Sequence, residues 1–259
     1  MKKNKPDDQF ARFIGIVRRL RKECPWDRAQ THKSIRHSLL EEAYEVLDAI
    51  DKGKMDELRD ELGDLLLHVA LHAVMAEERK AFTVHDVFRS LSEKLIRRHP
   101  HVFGTTRVRS ANEVKANWER LKMNEGRKSV LEGVPRKLPA LLKARRTQEK
   151  ASKVGFDWKK KKDVWNKVEE ELAEFKAAER KKSKRSMEEE FGDLLFSLVN
   201  YSRFINIHPE LALARTTQRF TRRFQFVERE VRKRGIDLSD AGLPLMDNLW
   251  TRGKRKGIR

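Results

Sequence analysis

Asp60-Glu61-Leu62-Gly63-Asp64-Leu65-Leu66 returns later in the chain as Glu189-Glu190-Phe191-Gly192-Asp193-Leu194-Leu195. Upstream of it, Leu40-Glu41-Glu42-Ala43-Tyr44-Glu45 returns as Glu169-Glu170-Glu171-Leu172-Ala173-Glu174. The pairs Glu41 and Glu170, Glu42 and Glu171, Glu45 and Glu174, Glu61 and Glu190, and Asp64 and Asp193 are each separated by 129 residues. A constant offset across two motifs marks two copies of one unit. Scattered acidity from 40 Asp and Glu residues would not keep that register.

Each copy reads as a helical hairpin. Leu39, Leu40, Ala43, Val46, Leu47 and Ile50 recur at helical spacing. Asp51-Lys52-Gly53-Lys54 reads as the turn, with Gly53 as helix terminator. A second helix then runs from about Asp56 to Glu78. In the later copy the turn falls within Arg180–Ser186, and the next helix runs from about Met187 to Ile205. A further helix spans about Leu211 to Arg234, ended by Gly235, and a basic tail follows to Arg259. Thr105–Lys137 is polar, partly helical and punctuated by Gly126, Gly133 and Pro135. The expected fold is all-α: tandem helical-hairpin domains over residues 1–130 and 131–259, forming four-helix bundles when two copies of the chain associate.

Composition fits that expectation and narrows the function. Apolar residues make up 38% of the 259 and charged residues another 38%, with only 12 glycines and 7 prolines. Such a chain favours helices with heavily charged outer faces. Cys24 is the only cysteine, so disulfides and CxxC zinc sites are excluded and a reducing cytoplasm is the simplest location. Cys24 itself reads as a small buried residue before a turn. Met1–Asp8 leads into no apolar run and makes a poor signal peptide. Leu65–Met75 is interrupted by His68 and His72 and is far short of the roughly 20 residues of a membrane span. The formal net charge of +19 fits nucleic acid, small phosphorylated ligands or a solvated surface.

The acids decide among these. Residues three and four apart share a helix face, so Glu41 and Glu42 flank Glu45, and Glu61 and Asp64 share a face on the partner helix. An antiparallel hairpin brings the two faces together, and five like charges at one locus call for cations. Hard divalent cations with oxygen ligands neutralise such a cluster and also bind phosphate oxygens. Asp64 and Asp193 each precede an apolar run and are expected at the edge of a core. His68 and His72 continue the Glu61–Asp64 face, but the later copy has Ser197 and Tyr201 there, so both read as partly buried polar side chains rather than ligands. None of the eight histidines lies three residues after a glutamate, which removes the ExxH element of a di-iron bundle. There is no Walker GKS/GKT loop either. Phosphate contacts must then come from metal and basic side chains.

With EExxE followed by ExxD in both halves, the sequence resembles the MazG-type nucleoside triphosphate pyrophosphohydrolases of the all-α pyrophosphatase group. The resemblance extends to Cys24-Pro25-Trp26-Asp27, Arg97-Arg98-His99-Pro100-His101-Val102-Phe103, Gly155-Phe156-Asp157-Trp158 and Phe220-Thr221-Arg222-Arg223-Phe224. It implies a homodimer of tandem α-helical domains, with Mg2+, or Mn2+ in its place, held by Glu41, Glu42, Glu45, Glu61 and Asp64 and by Glu170, Glu171, Glu174, Glu190 and Asp193. It implies substrate contacts from Lys167, Glu189, Arg219, Arg223, Trp250 and Lys254, with Trp158 or Trp250 stacking on the base. Thr217-Gln218-Arg219-Phe220 departs from an N-x-K-F stretch common in the family: arginine keeps the charge with a different geometry.

The reaction expected is attack of water on the α-phosphorus of a nucleoside triphosphate, releasing monophosphate and pyrophosphate, with Glu171 or Glu174 orienting or deprotonating the water. Nucleic acid and membrane are not expected as partners. Two rival readings stand beside this one. A nucleic-acid-binding helical protein would use the basic runs at 159–162, 180–185 and 252–259. An enzyme of the same fold could be confined to one substrate such as dUTP or phosphoribosyl-ATP.

Overall fold

Helical periodicity becomes helix in both halves of the chain. The computed structural model describes residues 6–110, 113–114, 117–118 and 129–258, and among these there is no strand. The chain divides into two compact units, residues 1–109 and 110–259. Much of the polar interval expected around 105–137, including Gly126, lies outside the described residues.

The first unit contains α1 (Pro6–Glu23), α2 (Pro25–Ala29), α3 (Ser38–Lys52), α4 (Met55–Glu78), α5 (Val84–Arg98) and α6 (Pro100–Phe103). Its core joins Ile14 and Val17 of α1, Ile35 before α3, Val84 of α5, and Ala70, Leu71, Ala73, Val74 and Met75 of α4. The apolar half of α4 is therefore an anchor, and its acidic half projects beyond it. Two bidentate ion pairs lock α1 alongside α4: Arg18 to Glu77 at 3.0 Å, and Arg21 to Glu78 at 2.6 and 2.8 Å. Thr83 and Asp86 close a capping box at the start of α5. Cys24, half-buried, sits where α1 gives way to α2.

The second unit contains α7 (Ala140–Ser152), α8 (Lys161–Lys181), α9 (Lys184–Phe204), α10 (Pro209–Arg232), a 3-10 turn (Leu238–Asp240) and α11 (Gly242–Arg255). The α8–α9 hairpin packs on α7 through α9, and α7 also meets α10. Arg145 of α7 is buried between Glu149 and the carbonyl of Ile207. The hairpin turn is tighter than the sequence suggested. Only Lys182 and Ser183 separate the helices, and α9 starts at Lys184, where the Ser183 side chain accepts from the amide of Ser186.

The basic tail expected after Gly235 is instead the 3-10 turn and α11, packed on α10. Leu245, Met246, Leu249 and Trp250 repeat four apart and face Val227 and Val231, with Leu249 completely buried. Lysine and arginine on the outer face masked that stripe in the sequence. Leu249→Ala should therefore destabilise the second unit by about 2–5 kcal/mol. Denaturant unfolding followed by circular dichroism checks this; an effect below roughly 1 kcal/mol would mean that α11 lies outside the core.

Candidate active site

Each hairpin reverses through a single left-handed residue: Gly53, at φ 68°, in the first, and Lys182, at φ 54°, in the second. Counting from these residues shows why particular acids meet. Glu45 lies eight residues before Gly53 and Glu61 eight after; Glu42 lies eleven before and Asp64 eleven after. Glu174, Glu190, Glu171 and Asp193 stand at the same distances from Lys182. Antiparallel helices of equal rise bring equidistant residues level with each other. Glycine takes the left-handed conformation freely, whereas Lys182 adopts it at a cost of about 1–2 kcal/mol.

Carboxylate oxygens of Glu42, Glu45 and Glu61 lie within 4.8 Å of one another, and so do those of Glu171, Glu174 and Glu190. The remaining members of each expected set of five stand outside these triads. Asp64 and Asp193 are exposed rather than at a core edge, although Asp64 still acts electrostatically on Glu42 and Glu61. Glu41 is exposed beside Glu42, and Glu170 is exposed and bound to Lys167.

The triads are electrostatically stressed. Burial, reinforced by Glu45 and Asp64, holds the Glu42 carboxyl above the ordinary glutamate value. The same causes raise Glu61. Burial, then Glu171 and Glu190, raises Glu174. Each group resists losing its proton next to the others, and a divalent cation at the triad would relieve that repulsion. Three converging carboxylates form an all-oxygen donor set, which suits a hard cation such as Mg2+ or Mn2+.

What flanks the triads differs between the units. In the second, Lys167 Nζ lies 2.8 Å from Glu170 and 2.7 Å from Glu171, whose side chain is buried, and these two bonds hold the ammonium firmly charged. In the first, the position 129 residues earlier is Ser38, and the neighbour of Glu42 is His68, with Nε2 3.8 Å from Oε1. His68 is buried, as the sequence suggested in part, and burial keeps its imidazole pKa below the usual value. His72 turns to His32, with which it stacks at a ring separation of 5.1 Å and an Nδ1–Nδ1 distance of 2.8 Å.

The other expected substrate contacts fall in three places. Arg223 and Lys254 lie over the Trp250 ring, at 5.8 and 6.0 Å, and Phe220 meets that ring at 5.1 Å. Arg219, exposed on the same helix, holds Thr216. This basic-aromatic cluster belongs to α10 and α11, neither of which packs extensively on α8 or α9. Glu189 is exposed and paired with Arg185 at 3.0 Å. Trp158 lines an apolar cavity of about 410 Å3 with Phe156, Phe196, Gln148 and Asn200, and the Arg203–Asp157 ion pair closes part of its wall. Gln148 and Asn200 are buried polar residues that the sequence reading missed. Each is a lone amide inside an amphipathic helix, and no motif distinguishes it.

Residues 30–103 match the MazG nucleotide pyrophosphohydrolase domain. The chain is 47% identical over 250 residues to the nucleoside triphosphate pyrophosphohydrolase/pyrophosphatase MazG of Thermotoga maritima, covering 95% of each. It is 42% identical over 260 residues to the nucleoside triphosphate pyrophosphohydrolase of Escherichia coli, covering 97% of this chain and 99% of that one. A crystal structure of a mazG-related protein from Thermotoga maritima aligns with 44% of this chain and 98% of its own, at 26% identity and a TM-score of 0.40. With two relatives above 40% identity over nearly their full lengths, the chain belongs to the MazG family.

Proposed function

We propose that the protein hydrolyses nucleoside triphosphates to monophosphates and pyrophosphate, with the second hairpin as the principal catalytic site. The convergence of Glu171, Glu174 and Glu190 beside Lys167 carries this reading. The names of the relatives point to the same reaction class.

Mg2+, or Mn2+ in its place, would be held by Glu171, Glu174 and Glu190 with Asp193 and Glu170 at the margin, and would neutralise charge on the phosphate oxygens. Glu174 is the member whose carboxyl retains a proton most readily, so it is suited to accept one from an attacking water. Glu171, buried and fixed by Lys167, is suited to orient that water. Arg219, Arg223 and Lys254 supply positive charge for the triphosphate, the arginines through paired N–H donors. Trp250, already covered by two cations, or Trp158 beside its cavity, offers a face for the base. Such a site depends little on the identity of the base and accommodates noncanonical nucleotides. A nucleic-acid-binding role gains nothing from the two triads.

The catalytic unit in this reading is a homodimer. Leu62, Leu66 and Val69 are exposed along α4, and Phe191, Leu195 and Leu198, each 129 residues later, are exposed along α9. The same apolar face is thus open in both hairpins, and pairing with a second copy would close each into a four-helix bundle.

Three outcomes are expected. Incubation with Mg2+ and a nucleoside triphosphate yields monophosphate and pyrophosphate by chromatography, and chelation stops it; diphosphate with orthophosphate would overturn the reaction. Glu171→Ala or Asp193→Ala lowers kcat by on the order of a thousandfold, whereas Glu42→Ala or Asp64→Ala leaves most of the turnover. If the first-unit variants proved to be the inactive ones, the assignment of the halves would be reversed. Light scattering should give twice the chain mass, and a fully active monomer would refute the bundle.

A further inference from the structure

The two hairpins present matching carboxylates, but the groups beside them have diverged. We infer that the first hairpin is a divalent-metal site with a nitrogen ligand, His68, that takes borderline transition metals such as Mn2+, Co2+ or Zn2+ in the absence of nucleotide, whereas the second is an all-oxygen site. This inference rests on the reading of the triads as divalent-cation sites and adds a distinct ligand and metal class to one of them.

Three observations carry it. First, His68 is 8% exposed and directs Nε2 at the triad, 3.8 Å from Glu42 Oε1. That is too long for a hydrogen bond. It is close to the separation of two ligand atoms that share an ion about 2.1 Å from each. Second, the ring lacks hydrogen bonds that would explain its burial: Nδ1 is buried without a partner. His72, the other imidazole on this face of α4, is taken up by His32 and does not compete for the triad.

Third, the second hairpin provides an internal control. Ser197 occupies the position matching His68 and turns its hydroxyl back to the Leu194 carbonyl at 2.9 Å. Lys167 already places a positive charge on Glu170 and Glu171 there, while Ser38 leaves the first triad without that ammonium. The first hairpin therefore combines three carboxylates, one imidazole and no resident ammonium. Imidazole is a poor ligand for Mg2+ and a good one for later divalent metals, so exchanging serine for histidine changes the preferred cation.

The test uses the full-length chain without nucleotide, loaded with Mn2+ and examined by pulsed electron paramagnetic resonance for coupling to 14N. The wild-type protein should show one nitrogen-coupled Mn2+. His68→Ser should abolish the coupling and weaken one class of Mn2+ site by about tenfold or more. Should His68→Ser disturb folding, judged by circular dichroism, His68→Leu fills the buried volume and must also abolish the coupling. Bound Mn2+ without nitrogen coupling in the wild type would overturn the assignment of His68, as would coupling that survives both substitutions. Failure to bind Mn2+ at all would overturn the reading of both triads as cation sites.

Discussion

At Gly53 and again at Lys182 the backbone reverses through a left-handed residue, and the distance of each acid from that residue determines which carboxylates meet. One residue added or removed on either side would rotate one helix by about 100° relative to the other and separate the triad. The turns thus fix both the position and the facing of the acids. Retention of a lysine in the strained conformation indicates that packing along α8 and α9 enforces the reversal even where the turn residue opposes it.

The hairpins must hold like charges together, and the cost is met away from the charges. In the first unit the apolar half of α4 is buried against α1 and α5, and Arg18 and Arg21 grip its far end. The acidic half can then project without unravelling the helix. In the second unit α7 supports α9, and α10 and α11 form a core of their own around Leu249. This division of labour, with a packed end and a charged end on the same helix, lets a metal site exist before any metal arrives.

Duplication created two equivalent carboxylate frames, and the residues around them diverged. Lys167 against Ser38, and Ser197 against His68, change the local charge and donor chemistry without moving the acids themselves. Neighbouring side chains tune a site whose geometry the hairpin already secures.

The sequence by itself determined the helical class, the duplication, the two hairpins and the acids available to each, because helical periodicity and a constant offset are one-dimensional properties. It also identified Gly53 as a terminator, since glycine is the default residue for that backbone. It did not reveal Lys182 in the same role, because a lysine carries no mark of the left-handed conformation that packing imposes on it. The basic tail concealed α11, whose four apolar residues were outnumbered by outward-facing lysines and arginines. Only the tertiary structure reduced five expected acids per copy to a triad, because side-chain reach and helix rotation decide which carboxylates converge. Only the tertiary structure separated His68 from His72: both lie on one face of α4, but the first meets Glu42 and the second meets His32, a partner forty residues away in sequence.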